Sequence, residues 1–168
     1  MSHPRSTIRN AIIDKLRTQV DSAYLTDAED RIYGNRAKPL FDQFLPAILV
    51  YAKDENILEE RFETDGFGQL KRELEIAIEA VILGGDDFDQ KLDDLSSQIE
   101  SALDGFEIET RKSDILKLKS TEIDSSIEGS KIYGAIRLTY SVTYRAAVKQ
   151  PLDEGVLPTE INTNLWNL

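Results

Sequence analysis

The sequence lacks cysteine altogether and contains one histidine, His3, among its 168 residues. A chain without cysteine forms no disulfide, builds no thiolate zinc site and offers no cysteine nucleophile. His3 lies close to the N-terminus, where chains are commonly frayed, so neither a serine–histidine pair nor a histidine metal site has support. These absences exclude several enzyme classes, and they suit a reducing compartment such as the cytoplasm.

Long apolar runs are also absent. No stretch approaches the roughly 18 apolar residues that a membrane-spanning helix needs, and the first residues do not have the pattern of a signal peptide. We therefore expect no membrane partner, and we expect the protein to be cytoplasmic at synthesis.

Positive charge is scarce as well. The chain has 20 lysines and arginines against 31 acidic residues, for a formal charge of −11. This balance argues against wrapping DNA or docking on an anionic membrane, because both need clustered basic side chains. It is compatible with a surface that nucleic acid passes without binding.

The remaining composition is that of a folded domain, with 40% hydrophobic and 30% charged residues. We predict one α+β domain over residues 1–150, since this length can bury a proper core. Residues 151–168, which contain Pro151, Pro158 and Trp166, are predicted to form an irregular C-terminal tail.

Two segments have the four-residue spacing of amphipathic helices. In residues 6–23, Ile8, Ile12, Leu16 and Val20 recur at every fourth position and predict the first helix. The second is predicted after "LGGDD", with Asp86 or Asp87 as its N-cap and Gly105 at its end. Its apolar stripe consists of Phe88, Leu92, Leu95, Ile99 and Leu103.

The segment "RELEIAIEAV", residues 72–81, combines helix-forming residues with strict alternation of apolar and charged positions. A helix would spread its glutamates around the cylinder, whereas a strand places them all on one face. Because burial routinely overrides intrinsic propensity, the alternation predicts a strand over residues 70–82, antiparallel to the preceding one. Arg72 is the one exception in its apolar row.

Three further strands complete the predicted sheet. They cover residues 45–52, which are apolar and β-prone, residues 115–121 before a polar hairpin at 124–130, and the long segment 131–148. In the last strand the even positions, including Tyr140 and Tyr144, form the apolar face, and the odd positions include Tyr133, Arg137 and Arg145. Residues 26–39 show no periodicity and are predicted to form an exposed loop.

The predicted order is therefore α-β-β-α-β-β. It corresponds to an antiparallel or mixed four-stranded sheet with both helices packed on one face. The opposite face then remains amphipathic and needs either water or a partner.

The segment "GGDDF", residues 84–88, resembles the signature of diguanylate cyclases, in which glycines admit a nucleotide and carboxylates hold Mg²⁺. Here a helical pattern follows it, and the segments that would bind metal and nucleotide are not found upstream. The favoured interpretation is a strand exit, a glycine turn and an acidic helix start. The nine acids between Asp86 and Glu109 are likewise interpreted as a solvated helix face, although such a run could gather a divalent ion.

No catalytic or metal-binding residue is predicted, and no cofactor. The candidates for an interface are aromatic and basic side chains, a combination enriched in protein contacts. They are Arg31, Arg36 and Lys38 in the predicted loop and Tyr133, Arg137 and Arg145 on the open face of the last strand.

The order of these elements resembles phage tail terminator proteins of the minor tail protein U type. The resemblance covers residues 7–148 and depends on "IRNAIIDKLRTQV", "LPAILVYAKDE", "LKRELEIAIEAVI", "LDDLSSQIESAL" and "GAIRLTYSVTYRA". Of these, "LPAILVY" and "LTYSVTYR" are the most specific pieces. The loop at residues 26–39 and the tail after Pro151 fall outside the pattern.

The resemblance implies a structural function rather than catalysis. Such a protein is expected to close as a hexameric ring on the tail tube, to stop tube polymerisation and to offer a surface to the head–tail connector, with DNA passing through the lumen. It would be found in the virion tail, and in the host cytoplasm during assembly. Two alternatives stay open, namely a monomeric interaction module or assembly chaperone and a nucleotide cyclase that uses "GGDDF".

Overall fold

The computed structural model describes residues 3–34, 41–62, 67–85, 87–108, 116–128 and 130–149. Its two helices are α1 (Pro4–Leu16) and α2 (Phe88–Leu103). Its strands are β1 (Gln19–Val20), β2 (Ala23–Tyr24), β3 (Ile32–Gly34), β4 (Ala47–Phe62), β5 (Phe67–Leu83), β6 (Lys117–Glu128) and β7 (Lys131–Lys149), with a 3-10 turn at Asp42–Phe44. None of the helices in these ranges is both long and apolar enough to cross a membrane.

The predicted α+β class is confirmed, but the predicted number and order of strands are wrong. The described residues form a mixed five-stranded sheet with the order β3-β4-β5-β7-β6, and β1 pairs with β2 in a separate two-stranded sheet. The pairs β4–β5, β5–β7 and β7–β6 are antiparallel, whereas β3 pairs parallel with β4. Three short strands were missed because two or three residues are too few to show a period.

The segment "RELEIAIEAV" is part of a strand, as its alternation predicts. It lies in β5, which pairs with β4 on one side and with β7 on the other. Ile76, Ile78 and Ala80 are fully buried, while Glu75, from the odd positions, is exposed. Burial of one face has therefore decided between the two structures that the sequence allowed.

Both helices contribute to one hydrophobic core on the face of the sheet that carries the even positions of β5 and β7. Ile8, Ile12 and Leu16 of α1 join Leu92 and Ile99 of α2 in this core. Gly134 lies directly beneath α2, because a Cβ there would meet the Phe88 ring at 2.9 Å and Leu92 Cδ1 at 3.0 Å. The predicted packing of two helices on one face is confirmed, as is the burial of Tyr140 and Tyr144.

The first helix is shorter than predicted. It ends at Leu16 instead of Ala23, and Val20 is 56% exposed on the small β1–β2 hairpin. Asp21 and Ser22 form the turn of this hairpin with positive φ angles of 51° and 67°. Thr18 and Val20 are β-branched, which weakens the helix at the point where the apolar stripe alone would extend it.

Two strands are longer than predicted. β4 continues to Phe62, ten residues past the predicted end at residue 52, and β6 runs to Glu128 through the stretch predicted as a hairpin at residues 124–130. Every residue of β6 is exposed. These extensions are held by backbone pairing and not by burial, so no hydrophobic pattern marks them in the sequence.

The predicted loop at residues 26–39 contains β3, in which the buried Ile32 is the register partner of Ile48 on β4. Residues 35–39 of that loop and the predicted tail at 151–168 lie outside the described residues. The division into a domain and a tail therefore stays a prediction.

Candidate interaction surfaces

The face of the sheet opposite the helices carries the odd positions of β5 and β7. We call it the open face, because no helix of the described residues packs on it. Tyr133, Arg137 and Arg145 belong to this face, as the alternation predicts, and the two arginines are exposed. Arg137 and Arg145 are eight positions apart, which places them roughly 27 Å from one another along the strand. Their part in an interface stays a prediction.

Arg137 is bracketed by acidic residues on both neighbouring strands. Its guanidinium donates to Glu79 on β5 at 3.1 Å, and Glu122 is its register partner on β6. The arginine retains 47% exposure of its side chain. A partner would therefore meet a hydrogen-bonding strip with one more acidic than basic side chain, and not a free positive charge.

Tyr133 lies at the end of the open face and ties β7 to the 3-10 turn. Its hydroxyl donates to Asp42 Oδ1 at 2.8 Å, and Lys131 pairs with the other carboxylate oxygen. The hydrogen bonds from Lys131 and Tyr133 lower the pKa of Asp42, and the same contact raises the pKa of Tyr133. Next to this cluster, Phe41 leaves 64% of its surface exposed.

Arg145 lies among basic residues near the opposite end of the open face. Its register partner is Lys71 on β5, and Lys71 in turn pairs with Glu59 on β4. Glu59 accepts a hydrogen bond from Arg61, which lowers the pKa of the carboxylate first of all, and the charges of Arg145 and Lys71 lower it further. The local excess of positive charge makes this end the better candidate for an acidic partner.

Arg31 does not lie on the open face. Its guanidinium donates to the carbonyl oxygens of Pro46 at 2.9 Å and of Asp27 at 3.0 Å, and it pairs with Glu29 at 2.9 Å. These contacts fix the turn before β3 against the start of β4, which is a structural task. Arg36 and Lys38, the other two loop candidates, lie outside the described residues.

A polar cluster that the sequence did not reveal lies on the helix-facing side of the sheet. Arg72 pairs with Glu55 at 2.8 Å, and the hydroxyl of Tyr144 donates to the second oxygen of the same carboxylate. The Arg72 and Glu55 side chains are only 19% and 14% exposed. The one available signal was Arg72 itself, which interrupts an otherwise apolar row.

Burial shifts the titration of two tyrosines of this face to unusually high pH. It raises the pKa of Tyr140 to about 12, with a smaller effect from Glu100. Burial and then the contact with Glu55 raise the pKa of Tyr144 to about 12 as well. In both cases the folded state favours the neutral phenol.

We expect these two tyrosines to limit stability in alkaline solution. Because each folded pKa lies above the unfolded value of 10.0, their contribution is fully present below pH 10 and is lost as the pH rises through 12. Urea unfolding between pH 8 and 12 should show this decline, and Tyr140→Phe and Tyr144→Phe should each reduce its slope. A slope that neither substitution changes would assign the decline to other groups whose pKa is raised in the folded state, namely Tyr51, Tyr133 and Lys131.

The described residues of the "GGDDF" segment, which are Gly84, Gly85, Asp87 and Phe88, lie between the end of a strand and the start of a helix, as favoured from the sequence. β5 ends at Leu83, Gly84 N–H donates to the Ile132 carbonyl at 2.6 Å, and α2 begins at Phe88. Asp87 pairs with Lys91 at 3.0 Å but makes no side-chain cap hydrogen bond. In the cyclase signature this segment is the tip of a hairpin between two strands, whereas the described residues here lead from a strand into a helix.

The acidic residues of α2 that the structure describes point into solvent, as predicted. Within the described ranges no group of three or more acidic or histidine side chains is arranged to hold a metal ion. His3, expected in a frayed terminus, instead accepts a hydrogen bond from Arg5 N–H at the start of α1, at 3.2 Å.

Comparisons with known proteins agree with this picture of a structural module. The family model for phage minor tail protein U matches residues 3–144. A solved chain from the virion of a native gene transfer agent particle has a similar fold, with a TM-score of 0.54 and 12% sequence identity. The alignment covers 86% of this chain and 100% of that one. No curated protein sequence matches the chain.

Proposed function

Because the chain belongs to the phage minor tail protein U family, we propose that this structural tail protein is a tail terminator. In this role it closes as a hexameric ring on the last ring of the tail tube and stops further polymerisation. The opposite side of the ring receives the head–tail connector. The observation that carries the proposal is the family match, which spans both helices and most of the sheet.

The role needs several contact surfaces on one small domain, and chemically different exposed regions of the chain support it. A head-to-tail ring requires two different, complementary patches on each subunit. The open face offers a mildly acidic strip around Arg137 and a basic end around Arg145, while the exposed side of α2 is acidic. Tube and connector can therefore be met by chemically different surfaces of the same subunit.

The acidic composition suits a ring through which DNA passes. With a charge of −11 on each subunit, the ring repels phosphate and lowers the affinity for nucleic acid. The protein needs no cofactor and no catalytic activity in this role. We place it in the virion tail, after assembly in the host cytoplasm.

The proposal is tested by measuring assembly directly. Native mass spectrometry over a concentration series, combined with negative-stain imaging, should show a six-fold mass and annular particles. In the phage or prophage that encodes the chain, deletion of the gene should yield tail tubes of uncontrolled length. A protein that stays monomeric together with tubes of normal length in the deletion would contradict the terminator role and favour an assembly adaptor.

We also predict that ionic strength controls the association of subunits. Six copies with a charge of −11 each repel one another, and the Debye length falls from about 30 Å at 0.01 M salt to about 8 Å at 0.15 M. The concentration for half-assembly should fall by about tenfold over this range. NaCl and MgCl₂ compared at equal ionic strength separate screening from a specific divalent ion, since only the latter makes MgCl₂ superior. Assembly that weakens with added salt would contradict the prediction.

A further inference from the structure

Among the described residues, the five-stranded sheet has two long edges without a partner strand. On one side, β6 exposes all twelve of its residues, among them Ile123 and Ile127 at 55% and 75% exposure. On the other side, β3 pairs with β4 only along Ile48–Val50, so no described residue pairs with the outer side of β4 over residues 51–62. Ile57 and Leu58 are half exposed on that stretch. Unpaired edges of this length invite strand addition.

We propose that β6 of one subunit pairs antiparallel with residues 51–62 of β4 in the next copy of this chain, joining the sheets of neighbouring subunits into one. The inference rests on the proposed ring and specifies how its subunits are held. Antiparallel pairing over these stretches would supply on the order of ten backbone hydrogen bonds for each contact. It would also cover the exposed aliphatic side chains of both edges.

The direction of the strands supports this pairing. Three successive antiparallel pairs connect β4 to β6 within one subunit, so these two edges run in opposite directions. Rotation about a ring axis preserves the direction of each strand relative to that axis. The β6 edge of one copy therefore meets the β4 edge of the next in the antiparallel sense.

Near the middle of β6, the side chains favour pairing with β4 over pairing with a second β6. When Thr121 is opposed to Ile57, helix-facing residues share one side there, Lys119 lies opposite Glu59 and Glu122 lies opposite Asn56, while Asp124 meets Asp54 at the irregularity of β4 between Ala52 and Glu55. Lys117 then lies beside Arg61, whose charge is already paired with Glu59 at 2.5 Å. A parallel arrangement with the same central pair would instead bring Lys117 opposite Lys53 and Asp124 opposite Glu60.

Pairing of β6 with a second β6 is opposed by like charges. Two antiparallel registers of β6 with a second β6 place the helix-facing residues on the same side near the middle of the strand. In one of them Glu122 lies opposite Asp124, and in the other it lies opposite Glu122 of the second copy. Like charges directly opposite one another destabilise a strand pair. The middle of β6 therefore meets like charge in a second β6, whereas in β4 it meets Asn56 and Glu59, and the like-charge contact with Asp54 falls at the β4 irregularity.

The two edges are offset along the strands, as a closed ring of tilted strands requires. Thr121 lies level with Ile78 of β5 through Leu138, whereas Ile57 lies level with Arg72 of β5. These two β5 residues are six positions apart, an offset of about 20 Å. Neighbouring subunits must therefore be staggered along the strand direction.

Engineered cysteines test the pairing without background, because the chain has none of its own. The variant Thr121→Cys/Ile57→Cys, oxidised at high concentration with Mg²⁺, should give a ladder of covalent multimers up to six on non-reducing gels. Each single variant should run as a monomer on the same gels, since a head-to-tail contact never brings two identical positions together to form a disulfide. The pair Thr121→Cys/Lys53→Cys, displaced by four residues on β4, should cross-link at least tenfold less.

The outcomes that contradict the strand pairing differ from those that contradict the terminator role. Dimers from Thr121→Cys alone would show that β6 pairs with itself, and they would overturn the inference. Absence of the ladder in the double variant would overturn it as well. If annular six-fold particles form without that ladder, the terminator proposal stands and only the strand pairing fails. If the ladder forms while tube length is unaffected by gene deletion, the strand pairing stands and the terminator role fails.

Discussion

Replacement of Ile78 by alanine should lower the free energy of unfolding by about 2–5 kcal/mol, the largest change we expect from any single substitution considered. Ile78 is fully buried in the middle of β5, between Val50 of β4 and Leu138 of β7, which are also fully buried. Removal of three carbon atoms there loses their transfer free energy and leaves a cavity. The surrounding strands are fixed on both sides by backbone pairing, so the cavity cannot readily collapse.

Ile127→Ala provides the matched control for this prediction. The same chemical change is made on the edge strand β6, where the side chain is 75% exposed, and it should alter stability by less than about 0.5 kcal/mol. Urea unfolding of both variants at concentrations where the protein is monomeric gives the comparison. If the two substitutions cost the same, the core of this domain does not lie between the sheet and the helices.

The difference between these two isoleucines also explains what the sequence reveals of the fold. Burial leaves a period, and the alternation in β5 and the even face of β7 were found for that reason. Exposed edge strands produce no such hydrophobic period in the sequence. The distal half of β4 and all of β6 pair through backbone atoms that are identical in every residue, so their ends could not be predicted from side-chain pattern.

The candidate surfaces follow the same logic. Alternation placed Tyr133, Arg137 and Arg145 on a common face, and the structure confirms that placement. It could not identify their partners, because Glu79 and Asp42 are 58 and 91 positions away in the chain. Arg31 was selected for its charge, yet three acceptors within the chain already engage it. Charge alone does not distinguish a free binding residue from a structural one.

Arg72→Met should be the most destabilising change on the polar part of the sheet, at about 2–3 kcal/mol. Breaking a buried ion pair costs about 3–5 kcal/mol because one charge is left without a partner, and the residual exposure of Arg72 and Glu55 reduces that figure through solvent screening. Methionine keeps the length and apolar stem of arginine. The loss would therefore report on the charge and its hydrogen bond.

Arg61→Met is the control, since it removes the same group from an exposed pair with Glu59 on the same edge. The Arg61 side chain is 70% exposed, so the expected change is below about 0.5 kcal/mol. A double-mutant cycle of Arg72→Met with Glu55→Gln should give a coupling energy above about 1 kcal/mol, because the neutral amide no longer needs the cation. Additive losses in that cycle would show that Arg72 acts through packing alone.

The position of the Arg72–Glu55 pair explains why its loss should also weaken the assembly of the ring. Glu55 lies within the stretch of β4 that we propose to pair with β6 of the neighbouring subunit. Its carboxylate is bound by Arg72 of β5 and by Tyr144 of β7, the next two strands of the sheet. Without Arg72 the carboxylate is freed toward solvent, and the edge that must accept β6 loses its fixed geometry. Arg72→Met should therefore weaken ring formation at temperatures where the monomer remains folded. Ile127→Ala, which removes an exposed aliphatic side chain from the β6 edge, should weaken ring formation while changing monomer stability by less than about 0.5 kcal/mol.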